Sequence, residues 1–572
     1  MTSTVLVVAR GYPSFDMPGR GSFVADNVLA LRGAGVETVV ASFETLALRG
    51  PEATRAARVT EAETAWARAV AEPFALTPTP RFGAPDVPVA RLPVVRTWGA
   101  MDGSEVPEMV ARHAVPLFAF GRALATRFAD EGRPIGLIHA HNGLPDGLAA
   151  MTLAAELRIP LVVTEHDSTL PRRLGNPAAA SRYRELLGTA RVVAVSQALA
   201  DRAADALTIP GGPKAALHGV IPNPVPLDRF PIAVDGARDD DELLWVGART
   251  PHKGIETLLR AVAVVRERGY AVHLRAIGPA SEEDEARWSE LATELGISGS
   301  VSLEPAAQRA AVAAAMRRAG IFVHPSPFET FGVVAAEALA SGLPVAATPS
   351  GGVEAILGSD GASGEIAADL GPDALADAII RLRDRLSTID RAALRTTIAQ
   401  RFAPDVVAAR TVQLYAEAVR TAPRDPAAPR PDPKPTIPQP AGSPPIRAAL
   451  LIAGHTSARS RVAALPTGGL LVRTVTRPVV EPPSAVRRLA GRLTGRRPTI
   501  DRRALLLDDV RAAWQEVTTE ASGGRVVFVP ADVDDLETAV AAIGPVATDH
   551  LAPGSLRWLA DRQDDSAEAV RG

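Results

Sequence analysis

Short unbroken runs of apolar, β-branched residues recur along the chain, separated by longer alanine-rich stretches. TVLVVAR at 4–10, ETVVASF at 37–43, GLIHAH at 136–141, PLVVTEH at 160–166 and RVVAVS at 191–196 form a first series. Each is a short, mainly apolar run, as expected for strands buried on both faces of a parallel sheet. Between the first two, SFVADNVLALRGAG has helical spacing and ends in glycines suited to a C-terminal cap. After the acidic stretch Asp239 to Glu242 comes a second series: LLWVGA at 243–248, VHLRAIG at 272–278, VSLEP at 301–305, IFVHPS at 321–326 and LPVAATP at 343–349. Two such series predict two doubly wound α/β domains in tandem, 1–232 and 233–420. Sheets of this kind bind ligands at the carboxyl ends of their strands, so two facing domains create a cleft. A helix near 404–420 is expected to close the pair. The section 42–135 holds several prolines and reads as a partly irregular insertion.

Beyond Thr421 the chain changes character. APRDPAAPRPDPKPTIPQPAGSPP marks a Pro-rich, extended linker over 421–446. AALLIAGH and RVVFVPAD then read as strands of a third, small α/β unit, 447–572, without an informative motif.

Composition excludes several classes of function. A formal net charge of −3 over 572 residues gives no global attraction to nucleic acid. The absence of cysteine rules out disulfides and thiolate metal sites. No segment approaches the roughly 20 apolar residues needed to span a bilayer. The N-terminal MTST runs straight into a strand rather than a signal peptide, so a cytoplasmic protein is expected. Arginine replaces lysine almost everywhere; only Lys214, Lys253 and Lys434 remain, which makes each lysine more informative.

One stretch carries the chemistry. In HPSPFETFGVVAAEALASGLPVAATPSGG, 324–352, a strand, a glycine turn and an apolar helix follow one another. The amides and dipole at that helix start suit a phosphate or a polarised sugar oxygen. Glu329 stands at the mouth of the helix and Glu337 inside it. An unpaired buried carboxylate costs several kcal/mol, so Glu337 needs a partner. A ribose diol would serve, and so would an internal ion pair.

The spacing Glu329, seven residues, Glu337, with this surrounding text, resembles the E-x7-E element of the retaining GT-B glycosyltransferases of family 4. The resemblance extends over 1–420 and includes IPNPVPLDRF at 221–230 as the inter-domain segment, WVGARTPHKGIETLL and MPGRGSFVADN. It implies that Glu329 holds donor-sugar hydroxyls, that Glu337 holds the nucleotide ribose, and that the amides of Phe331, Gly332 and Val333 meet the sugar or phosphates. Lys253 matches the family lysine that faces the leaving diphosphate. The family reads Gly-Arg where this chain has Gly247-Ala248-Arg249, so Arg249 either reaches the phosphates by a local shift or points elsewhere. Gly21 matches the close approach to the diphosphate, and His166, between Glu165 and Asp167, matches a histidine near the donor sugar. His139 and His141 resemble an acceptor-side element; their spacing also admits a metal pair, without an evident third ligand.

The resemblance implies a retaining glycosyltransferase that moves a sugar from a nucleotide donor, UDP- or GDP-linked, to a glycan, a lipid-linked sugar or a small molecule. It implies no cofactor and no metal. Asp532 and Asp534 sit before an apolar segment and suit helix capping. The basic run 487–503 reads as a solvated loop or as a peripheral membrane contact. A sugar-nucleotide epimerase or hydrolase on the same fold, or a non-catalytic glycan-binding scaffold, are the competing readings.

Overall fold

A computed structural model describes residues 3–13, 19–47, 87–96, 102–209, 211–212, 215–232, 238–358 and 361–421, together with three strands further on. The first sheet comprises β1 Thr4–Ala9, β2 Thr38–Ala47, β3 Val89–Arg96, β4 Ile135–His141, β5 Leu161–Glu165 and β6 Arg191–Ala194. Their order is β3-β2-β1-β4-β5-β6, and every pairing is parallel. The second sheet comprises β7 Asp239–Val246, β8 His273–Ile277, β9 Val301–Glu304, β10 Ala319–His324, β11 Val345–Ala347 and β12 Gly364–Ile366. It repeats the plan, in the order β12-β11-β10-β7-β8-β9, again parallel throughout.

Side-chain alternation explains why the strands read as continuous apolar runs. In β1, Leu6 and Val8 pack into one hydrophobic cluster, while Val5 and Val7 pack into another on the opposite face. Leu244 and Phe322 likewise face one core of the second sheet, Trp245 and Val323 the other. Both faces are covered by helices, so both sets of positions must be apolar.

The section 42–135 is more regular than its sequence suggests. β3 is the edge strand of the first sheet, pairing with β2 alone, and an edge tolerates Pro93. The helix Val106–Asp130 follows, with Pro107 in its first turn, where no amide donor is missed. The helix Pro404–Thr421 closes the pair as expected. Its Leu414, Tyr415 and Ala418 are buried in the same cluster as Val5 and Val7 of β1. Beyond it, β13 Ala448–His455, β14 Leu471–Arg477 and β15 Arg525–Pro530 form a parallel sheet in the order β14-β13-β15. Residues 422–447, the basic run 487–503, Asp532 and Asp534 lie outside the described residues. No described helix is long and apolar enough to cross a membrane.

Candidate active site

The carboxyl ends of the two sheets bring most of the predicted residues to the expected edges. Lys253 ends a short turn after β7, and its Nζ lies 3.0 Å from Glu329 Oε2. Glu329 is held from several sides. Its amide donates to the Ser350 carbonyl at 2.9 Å, its carbonyl accepts from the Gly352 amide at 3.0 Å, and its Oε1 accepts from the Thr330 amide at 3.2 Å. Burial alone would raise its pKa, but the charge and hydrogen bond of Lys253, with the Thr330 amide, outweigh burial and hold it below the ordinary carboxylate range. His324 is buried, which brings its own pKa down to about 4. A neutral imidazole therefore backs an ionised carboxylate.

Gly332 caps the helix Val333–Ala340 with φ 91°, and a Cβ there would meet Val353 at 2.6 Å. That conformation leaves the helix start without a side-chain cap, so its first amides have no intrahelical partner. The Phe331 side chain turns into the core, edge-on to Phe402 at 5.4 Å, and Val333 opens the helix. On the other sheet, Gly21 precedes the helix Ser22–Gly33 with φ 66°. A Cβ there would stand 2.1 Å from the Gly11 carbonyl, so this glycine is required by backbone packing of the loop itself.

His166 follows β5. Its Nε2 lies 3.0 Å from His141 Nδ1, the two rings are stacked at 5.2 Å, and Phe23 packs on it at 4.6 Å. Burial, with a smaller contribution from His139, lowers its pKa to about 3, so the ring is neutral. Its Nδ1 is buried without a hydrogen-bond partner, as is His141 Nε2. These are polar atoms that a ligand hydroxyl can satisfy. His139 is different. Its Nδ1 lies 2.7 Å from the Tyr415 hydroxyl and its Nε2 2.8 Å from the Thr164 hydroxyl, so both ring nitrogens are committed to the fold. That removes the metal-pair reading of His139 and His141. Glu165 is also structural, accepting from the Gly143, His166 and Asp167 amides and the Tyr183 hydroxyl.

Two of the predicted residues are engaged by partners within the chain. Arg249 is 3% exposed; its Nε donates to the Gly278 carbonyl at 3.0 Å and its Nη1 to Glu285 Oε1 at 3.0 Å. Its own carbonyl accepts from Trp288 Nε1 at 2.9 Å. The guanidinium is thus tied to the helix Glu282–Glu294 through Glu285 and points away from the local shift toward the phosphates. The second is Glu337. It is buried, as expected, but its partner is Arg309, at the start of the helix Arg309–Arg318. Arg309 also grips Asp26 of the helix Ser22–Gly33, at 3.0 Å to Oδ1 and 2.7 Å to Oδ2. Burial raises the Glu337 pKa, and Arg309 works against that rise.

Sequence reasoning missed three groups. Asp26 and Arg309 tie the first domain to the second beside Glu337; an aspartate in an otherwise apolar helix face, VADNVLAL, was the available signal. Asn27 Nδ2 adds a 3.4 Å contact to Asn223 Oδ1 in the inter-domain segment. Asp146 is fully buried behind β1, accepts from the Arg10 amide at 2.9 Å, and is pushed up to about 7 by burial. Its neighbour Asp167 is held low despite burial, by Arg10 and Arg173.

Two facing parallel sheets, a lysine on a carboxylate at one strand end, and uncapped helix amides beside them define a nucleotide-sugar transferase of GT-B architecture. The comparisons agree. The chain matches the family Glycosyl transferases group 1 over residues 232–393 and Glycosyltransferase Family 4 over residues 19–229. It is 30% identical over 318 residues to D-inositol 3-phosphate glycosyltransferase of Xylanimonas cellulosilytica, covering 50% of this chain and 73% of that protein. It is 31% identical over 287 residues to D-inositol 3-phosphate glycosyltransferase 1 of Catenulispora acidiphila, covering 45% of this chain and 67% of that one. Its fold is similar to that of sucrose-phosphate synthase from Thermosynechococcus elongatus, with a TM-score of 0.53 and 20% identity, over 72% of this chain and 98% of that one. The chain belongs to the GT-B glycosyltransferases of family 4 and is an enzyme that transfers a sugar from a nucleotide-sugar donor.

Proposed function

We propose that transfer proceeds with retention of anomeric configuration, without a metal ion or other cofactor, from a UDP- or GDP-linked sugar. The observation that carries this reading is the Lys253–Glu329 contact of 3.0 Å beside the uncapped amides of Val333–Ala340. Lys253 and those amides supply positive charge where a departing nucleoside diphosphate becomes more negative. Glu329, ionised, accepts hydrogen bonds from donor-sugar hydroxyls. His166, neutral and with Nδ1 unpartnered, orients the sugar from the opposite sheet. The leaving phosphate oxygen takes the proton of the acceptor hydroxyl as that hydroxyl bonds to the anomeric carbon on the face the phosphate leaves. Glu337 takes the ribose hydroxyls, sharing its carboxylate with Arg309.

The acceptor class is a glycan, a lipid-linked sugar or a small molecule, in cell-envelope polysaccharide synthesis. The names of the two relatives make D-inositol 3-phosphate the first acceptor to try. We place the reaction in the cytoplasm, with the basic run 487–503 leaning on anionic headgroups at the inner membrane face. Co-sedimentation with phosphatidylserine vesicles, but not neutral ones, tests that contact. The decisive chemical test is thermal-shift selection of a donor from UDP-, GDP- and ADP-sugars, followed by NMR of the product anomeric proton. A product of inverted configuration refutes the mechanism.

A further inference from the structure

The amino end of the second sheet carries four acidic residues in a row, Asp239 to Glu242. Two of them face arginines. Asp241 Oδ1 accepts from Arg383 at 2.6 and 3.2 Å, and Asp240 faces Arg391 at 3.5 Å. The other two share a histidine instead. His273 Nε2 lies 3.5 Å from Asp239 Oδ2 and 3.7 Å from Glu242 Oε2. His273 opens β8 and stands in register with Glu242 of β7, so both strands contribute to one cluster.

The distances discriminate between two explanations. A histidine hydrogen-bonded to a carboxylate closes to about 2.7–2.9 Å. At 3.5 and 3.7 Å the atoms are too far apart for that bond, yet near the edge of a tetrahedron around a common centre. With metal–ligand distances of about 2.0–2.1 Å that edge is about 3.3 Å. All three ligand atoms lie within 4.8 Å of one another. Asp239 is half exposed at the strand end, so rotating its side chain shortens the longest edge. Its Oδ1 accepts from the Asp241 amide at 3.0 Å, which leaves Oδ2 toward His273.

Glu242 supplies an independent sign. It is 5% exposed, and its Oε1 is buried with no hydrogen-bond partner. A buried carboxylate in that state is costly unless a cation stands beside it. Arg275, across the strand pair, feels the charge of Glu242 but gives its hydrogen bonds to Glu304 in a two-pronged contact at 2.6 and 3.0 Å.

We propose that Asp239, Glu242 and His273 form a binding site for a divalent cation of the zinc class, which pins the amino ends of β7 and β8. Two carboxylates balance the ion's charge, His273 Nε2 gives the nitrogen ligand, and water completes the tetrahedron. Lys253 and Glu329 lie at the carboxyl ends of the same sheet, about 20 Å away at roughly 3.3 Å per strand residue. The ion's role is therefore structural, and the metal-independent transfer proposed above is a separate matter.

The test uses the full chain, stripped with chelator, desalted and titrated with zinc chloride against a chromophoric competitor, beside Asp239→Asn and His273→Ala. Both variants alter half-exposed side chains. Wild type is expected to bind one equivalent more tightly than either variant by at least about thirtyfold, with zinc raising the melting temperature of wild type only. Cobalt substitution is expected to give a tetrahedral visible spectrum that His273→Ala lacks. Equal zinc binding by wild type and His273→Ala, or no binding by wild type, overturns the site and leaves a plain histidine–carboxylate pair. Transfer rates that stay constant on stripping, while the melting temperature falls, fit the structural role; loss of transfer at an unchanged melting temperature refutes it.

Discussion

Replacing Lys253 with alanine removes the positive charge closest to Glu329, and the structure sets the size of the effect. Nζ lies 3.0 Å from Glu329 Oε2, with the lysine 34% and the glutamate 18% exposed. A unit charge about 4 Å from a developing unit charge contributes about 4 kcal/mol at an effective dielectric constant near 20. Partial exposure of the lysine reduces that to about 3 kcal/mol, a rate loss of about a hundredfold or more. Glu329→Ala is expected to lose a similar amount through sugar positioning. The two losses should not add in the double variant, because the groups act on one donor and hold one another. Initial rates of nucleotide release at saturating acceptor, with circular dichroism to confirm folding, measure all three variants. The loss should fall on kcat more than on donor KM if the lysine acts on the leaving group. Rates within about threefold of wild type for both single variants would sink the assignment of the site.

The remaining expectations follow from burial and topology. Arg309→Ala leaves Glu337 buried without its counter-charge, while Asp26 keeps Arg229 at 3.3 Å; a loss of about 3 kcal/mol in urea unfolding is expected, partly restored in Arg309→Ala/Glu337→Gln, and an unchanged midpoint refutes the bridge. Burial holds His166 at about 3, so its imidazole is neutral on both sides of pH 6.5. Transfer should therefore show no acid limb from this group between pH 5 and 8, and a limb near 6.5 that vanishes in His166→Gln contradicts the neutral ring. A chain ending at Ala422 retains both large sheets and the closing helix, so it should bind the donor as tightly as the full chain. A folded shortened chain that binds no donor would place part of the site beyond the linker.

How far the sequence carries is decided by the range of the interaction being read. Strands β1, β4, β5, β7 and β10 were visible because burial on both faces makes each a continuous apolar run, a property of a few adjacent residues. The helix Val106–Asp130 was hidden by Pro107 and Pro116, which read as breakers in a single sequence. β3 was hidden by Pro93, since nothing local says that the strand is an edge. The two-sheet cleft, Lys253, Glu329 and the glycine before Val333 were legible for another reason: strand, turn and helix follow one another within a short stretch, so position in the chain is also position at the site. His166 was legible as a residue after a strand, but its neutrality was not, because that depends on burial beside His141 and Phe23.

Arg249 and Glu337 show where local reading stops. An arginine two places after Gly247 resembles a phosphate ligand, yet its direction is set by Glu285, 36 residues on, and by the Gly278 carbonyl. Glu337 raised the right question, since a buried carboxylate must be compensated. The answer required Arg309, 28 residues before it, and Asp26, 283 residues before that arginine. Asp26 lies inside the glycine-rich first-loop motif, but nothing in that motif links it to Arg309, which no motif marks. Because Arg309 holds carboxylates from both domains, the proposed ribose, donating its hydroxyl hydrogens to Glu337, would act on the same ion network that joins the sheets. Compensation of Glu337 and the approach of the two domains are thus one electrostatic problem, and only the folded chain brings its three charges together.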